Sequence, residues 1–149
     1  MIHFRKVDED NFQAVIRMKR PEGEHFVSSN VYSLAQAWLY RDAGDVHPLA
    51  IYHGEEPVGF MMLDEDEDSA GDRCLIIWRL MFPVEHQCKG YGTAAIREII
   101  RLARESGKYD AVLLDYAEGN HIAEHVYRKL GFVPTGVCED GEVEMKLPL

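Results

Sequence analysis

The chain has 149 residues, 46% of them hydrophobic, which fits one domain of ordinary size, residues 1–149, around a single continuous core. Sixteen basic against twenty-six acidic side chains give a formal charge of -10, a balance that repels a nucleic-acid backbone and attracts cationic small molecules. Met1 to Asp10 runs straight into charge without the apolar stretch of a signal peptide, and the longest apolar segments are interrupted by Arg79, Arg97 or Glu98, short of a membrane span. Three scattered cysteines, Cys74, Cys88 and Cys138, without a Cys-x-x-Cys pair, add the expectation of reduced thiols, no metal and a cytoplasmic location.

Hydrophobic periodicity predicts a short strand at Ile2 to Arg5 and a helix from Asp8 that turns Phe12, Val15 and Ile16 inward, ended by Arg20-Pro21-Glu22-Gly23. A second helix is expected with Ser33 as N-cap and Leu34, Ala37 and Trp38 on one face, stopped by Gly44. Leu49 to Tyr52 and Val58 to Leu63 read as a hairpin around Gly54 to Pro57, followed by an acidic loop from Asp64 to Asp72. A long apolar strand, Cys74 to Phe82, is broken by Pro83. Tyr91 to Glu105 places Ile96, Ile99, Ile100 and Ala103 at helical spacing, and Gly107 closes that helix. Ala111 to Leu114 is apolar on both parities, as a central strand would be. A helix from N-cap Asn120 to Gly131 and two strands around Glu139-Asp140-Gly141, a tight-turn sequence, complete the chain. There is no repeat and no linker. The sum is an α/β (α+β) domain, a mixed, mostly antiparallel sheet of six to seven strands flanked by about four helices.

Between the long strand and its following helix lies Gln87-Cys88-Lys89-Gly90-Tyr91-Gly92. Glycines here let backbone N–H groups converge on an anion at the positive end of the helix, a place for a pyrophosphate. They could also simply turn the chain. Gly90 to Ala95 nearly matches the dinucleotide pattern G-x-G-x-x-A, and Asp115 stands where a ribose carboxylate would follow. Only one helix and one hairpin remain after that point, too few for a dinucleotide-binding domain. No Walker string occurs. His121-Ile122-Ala123-Glu124-His125 matches the zinc pattern H-x-x-E-H, but both histidines fall opposite the apolar face of the predicted helix.

Two motifs carry a family resemblance: Q-x-x-G-x-G after a strand, and Asn120 to Phe132, which meets N-x-x-A-x-x-x-Y-x-x-x-G-F at every fixed position. Together they resemble the GNAT family of N-acetyltransferases. The resemblance implies acetyl-CoA as co-substrate and no metal. It assigns Cys88, Lys89, Gly90, Tyr91, Gly92 and Thr93 to the coenzyme A pyrophosphate, the backbone of Leu80, Met81 and Phe82 to the pantetheine arm, and Gln87 and Asn120 to the cofactor. Tyr127 becomes the acid that protonates the departing thiolate, a task suited to a phenol near pKa 10. A homodimer through the terminal strands is the assembly it suggests.

An acceptor amine of pKa about 10.4 is only about 0.04% neutral at pH 7, so its deprotonation costs roughly 4.6 kcal/mol and a proton path is needed. Candidates on the acceptor side are Glu24, His25, Glu85 and Tyr116. The run Asp64 to Asp68 is either a hydrated loop or a collector of polycations. Glu24 to Asn30 and the path to Trp38 look like bacterial spermine/spermidine acetyltransferases, which points to a small-molecule amine, a polyamine, as acceptor. Cys88, inside the phosphate loop, is badly placed for an acyl-enzyme, so direct transfer in a ternary complex is expected. A non-catalytic acyl-CoA sensor, or an acetyltransferase for another amine, would share the same motifs.

Overall fold

In the computed structural model, which describes residues 1–19 and 29–149, seven strands form one sheet. They are β1 (Ile2–Lys6), β2 (His47–His53), β3 (Glu56–Glu67), β4 (Arg73–Met81), β5 (Ala111–Ala117), β6 (Val133–Glu139) and β7 (Glu142–Pro148). Their order is β1-β2-β3-β4-β5-β7-β6, and only β4 and β5 run parallel. The helices among the described residues are α1 (Phe12–Arg17), α2 (Asn30–Leu39), α3 (Tyr91–Ser106) and α4 (His121–Lys129).

β3 is buried on both parities from Val58 to Leu63 because helices cover both faces of the sheet. On one face Met61 and Leu63 join Ile96, Ile99 and Ile100 of α3, together with Leu114, Phe132 and Met145. On the other, Phe60 and Met62 meet Val15 of α1 and Ala37 of α2.

Two irregularities open the sheet in the middle. Met62 pairs with Arg79 but Leu63 with Ile77, so Trp78 is an extra residue that bends β4. The parallel pairing of β4 with β5 runs from Cys74–Ala111 to Ile77–Leu114, while both strands continue to Met81 and Ala117. The two strands therefore part after Ile77 and Leu114.

Several expectations need correction. α2 is capped by Ser29, whose side chain accepts the Tyr32 N–H at 3.2 Å, and Ser33 lies buried inside the helix. The inward stripe of α2 is Asn30, Ser33 and Ala37, so Trp38, about 100° further round, faces out, 63% exposed, under the Arg41 guanidinium. Phe12 is also exposed; Val15 carries the α1 contact. Asp64 to Glu67 is strand, not loop, pairing with β4 from Ile76 to Arg73. Glu65 accepts from the Tyr109 hydroxyl at 2.5 Å and contacts His47 Nε2 at 2.7 Å. Lys146 Nζ binds Asp68 at 2.6 Å and Asp72 at 2.7 Å across the turn. The Asp140-Gly141 turn forms as expected, with φ of 52° and 75° and Glu139 paired to Glu142.

Candidate active site

The strand parting leaves the end of β4 free, and the glycine loop is built onto it. Gln87 Nε2 donates to Phe82 O at 2.9 Å, tying the loop back to the strand. Cys88 and Gly90 adopt left-handed φ values of 60° and 80°. The first backbone bond into α3 is Ala94 N–H to Gly90 O, so the amides of Tyr91 to Thr93 are left to point toward an outside acceptor. Tyr91 braces the loop with its ring 5.1 Å from His53 and 6.3 Å from both Phe82 and His86. Gly59 is required beneath it: a Cβ there would stand 2.6 Å from the Phe82 ring and 2.8 Å from Met81 O.

A cleft of about 370 Å³ runs from this loop to α4. Leu80, Met81, Phe82, Gln87, Cys88, Gly90, Tyr91, Gly92, Thr93, Asn120 and Tyr127 all line it. Lys89 does not; it is exposed at the loop tip. Ile122 is 81% exposed at the rim of the same cleft. Asn120 caps α4 by accepting the Ala123 N–H at 3.2 Å, and Gly131, at φ 101°, ends the helix. His121 and His125 face solvent.

A second, smaller cavity of about 120 Å³ occupies the gap between β4 and β5. Leu80, Asn120, Ala123 and Tyr127 line both cavities, so Tyr127 stands at their junction. The Tyr127 ring lies 6.4 Å from Tyr116 and 6.3 Å from Phe132, and burial pushes its hydroxyl up to about 12. The phenol therefore stays protonated across the working pH range.

The smaller cavity is walled by Arg79, Asp115, Tyr116 and Glu142. The Arg79 guanidinium donates to Trp78 O and Gln36 Oε1, both at 3.1 Å. Partial burial first, and then Glu142, Glu144 and Glu139, push Asp115 up to about 6.

Of the expected acceptor-side residues, Tyr116 lies in this cavity, whereas Glu85 is exposed on a 3-10 turn away from both. It sits beside the cofactor strand in sequence, but Pro83 and the turn carry it outward. Glu24 and His25 lie outside the described residues. Sequence reading weighed Asp115 only as a ribose carboxylate and passed over Arg79 and Glu142, all three of which line the smaller cavity. The available signals were a lone carboxylate ending an apolar strand and a charge directly after an Asp-Gly turn.

A sequence model of the acetyltransferase (GNAT) family matches residues 12–132. The chain belongs to the GNAT family. It is an acetyl-CoA-dependent N-acetyltransferase of that family. Among curated relatives, the spermine/spermidine N(1)-acetyltransferase of Bacillus subtilis strain 168 is 27% identical over 156 residues, spanning 97% of this chain and 96% of that protein. The PaiA N-acetyltransferase of Thermoplasma acidophilum, solved with coenzyme A, superposes with a TM-score of 0.73 at 17% identity, covering 100% and 99% of the two chains. Spermidine N-acetyltransferase from Vibrio cholerae, solved with CoA and spermine, gives 0.72 at 15% identity over 99% and 95%. These likenesses agree with the GNAT fold of the sheet and the four helices among the described residues.

Proposed function

We propose that this GNAT enzyme moves the acetyl group of acetyl-CoA to a primary amine of a polyamine, spermine or spermidine being the model acceptors, within a ternary complex. The observation that carries this reading is the pair of cavities meeting at Tyr127, one lined by the phosphate loop and the other by carboxylates. The larger cleft would take coenzyme A: loop amides on the pyrophosphate, the free edge of Leu80 to Phe82 along the pantetheine arm, and Asn120 near its end. The thioester would then reach the junction, with Tyr127 beside the sulfur as acid. Asp115 and Glu142 present negative charge to an incoming ammonium, and the formal charge of -10 favours a polycation. The curated Bacillus relative, by its name, acts on spermine and spermidine, which supports the same acceptor class. No helix among the described residues is long and apolar enough to cross a membrane; the cytoplasm is the compartment that suits both substrates.

Arg79 in the smaller cavity favours a second reading, an acceptor carrying a carboxylate beside its amine, such as an amino acid. A panel of amines assayed by thiol release from acetyl-CoA separates the two. Spermine and spermidine should give the highest kcat/KM, and preference for amino acids over polyamines would transfer the assignment to the second reading. With both substrates varied, double-reciprocal lines should intersect; parallel lines would contradict direct transfer.

A further inference from the structure

We infer that Asp115 is the proton acceptor for the substrate ammonium, working from the face of the sheet opposite Tyr127. This inference rests on the proposed transfer to an amine and adds the proton route that the reading lacks.

The placement follows from the strands. Pairing between β4 and β5 ends at Leu114, so Asp115 is the first β5 residue beyond the point where the strands part. Side chains alternate across a strand. Leu114 belongs to the core beneath α3, and Tyr116 and Tyr127 pack against that core. Leu113 belongs to a separate cluster with Cys74 and Ala111. Asp115 therefore shares the Leu113 side, while its neighbour Tyr116 shares the Tyr127 side. Both still line the same cavity, because that cavity is the gap itself.

An acyl transfer through such a gap has two ends. Coenzyme A bound in the larger cleft would occupy the α3 and α4 side, which would bring its sulfur toward Tyr127, a residue lining both cavities. The amine then approaches the carbonyl from the Asp115 side. Asp115 takes one proton from the ammonium and passes it to solvent. The neutral nitrogen attacks the thioester carbon, forming C–N, and collapse breaks C–S. Tyr127 protonates the leaving thiolate, and the nitrogen's second proton, made acidic as the C–N bond forms, restores the phenol. One ammonium and one thioester give one amide, one thiol and one proton.

The charged and titratable groups around Asp115 are consistent with this role. Partial burial first, and then Glu142 and Glu144 of β7 and Glu139 of β6, hold its proton affinity above that of an ordinary aspartate, up to about 6. Arg79 of β4 faces the same space and disfavours a second positive charge there, which helps the ammonium to let go of its proton. Tyr116 of β5 and Tyr127 of α4 are both raised, chiefly by burial, and are protonated at neutral pH, so neither serves as base. Glu142, exposed at the start of β7, is placed to hold the ammonium at the rim.

The test is the pH dependence of kcat/KM for acceptors of different basicity. In the parent enzyme the acid limb should lie near pH 6 and stay there when the acceptor is changed from a primary amine of pKa about 10 to one near 7. Asp115→Asn should lose that limb and fall about 100-fold to 1,000-fold with the basic amine, its rate then rising tenfold per pH unit. The weakly basic amine should restore it to within about tenfold of the parent, and coenzyme A affinity should be unchanged. A limb that moves with the acceptor's pKa in the parent enzyme, or an equal loss of rate with both amines in Asp115→Asn, overturns the assignment. The first of these needs no variant, so misfolding of Asp115→Asn cannot shield it. A parent enzyme that acetylates no amine overturns the proposed function instead.

Discussion

Tyr127 and Asp115 show how one cavity drives two acids in the same direction for different ends. Burial lifts the Tyr127 phenol to about 12, which keeps its proton available at every physiological pH. Tyr127→Phe should therefore lower kcat by about 100-fold or more while coenzyme A affinity changes less than about twofold, read by steady-state kinetics and calorimetry. Unchanged turnover would remove the acid role.

Asp115 carries a stability cost of known sign. Its folded pKa is raised, so between its unfolded value near 4 and its folded value near 6 the native state binds more protons, and stability falls as pH rises through that window. Asp115→Asn should then be more stable than the parent in thermal melts at pH 7, with the gain vanishing near pH 3. No gain at pH 7 would show that the carboxylate is not strained in the fold. The position of Tyr127 at a helix edge facing the cleft was legible from a spaced motif; that of Asp115 in the smaller cavity was not, since it depends on where β4 leaves β5.

At the scale of elements, the sheet behaves as two halves clipped together and parted in the middle. The ends of β2 and β3 are joined to the segment before β5 by His47, Glu65 and Tyr109. Hydrogen bonds from Tyr109 and then His47 hold Glu65 below the usual carboxylate range. A depressed acid stabilises the fold above its unfolded pKa near 4 and loses that contribution as pH falls through the lower folded value. Tyr109→Phe should cost about 1 kcal/mol in urea unfolding at pH 7 and progressively less below pH 4. A loss that does not depend on pH would mean the ring's packing, not the hydrogen bond, is what matters.

The cofactor half depends on close approach. Gly59→Ala places a methyl against the Phe82 ring and Met81 O, so β4 must shift where it would meet pantetheine. Overpacking of about 1–3 kcal/mol and a clear rise in KM for acetyl-CoA are expected. A parent-like KM would show that Phe82 moves without disturbing the cleft.

Element types were legible wherever period and turn residues agreed, as in α3, β5 and the Asp140-Gly141 hairpin. The acidic run after Leu63 was misread because sequence proximity of like charges hides the partners, Tyr109, His47 and Lys146, that arrive from elsewhere in the chain. Trp38 was misread because the stripe of α2 is made of small and polar residues, Asn30, Ser33 and Ala37, rather than its largest apolar ones.

For the whole molecule, a formal charge of -10 sets the long-range field in which a substrate arrives. A polycationic acceptor should be gathered by that field, and its KM should rise with salt as the Debye length contracts from about 10 Å at 0.1 M. The family and the fold were readable because they rest on local motifs; the smaller cavity was not, because three strands, β4, β5 and β7, and a helix contribute to it. The central claim is that this cavity delivers a polyamine nitrogen to acetyl-CoA. Mass spectrometry of spermidine incubated with acetyl-CoA and the protein tests it most directly. The expected result is one acetyl group on a terminal nitrogen, matched mole for mole by free coenzyme A thiol and formed about 100-fold or more slowly in Tyr127→Phe. Unmodified spermidine in the presence of protein that binds coenzyme A would contradict the account.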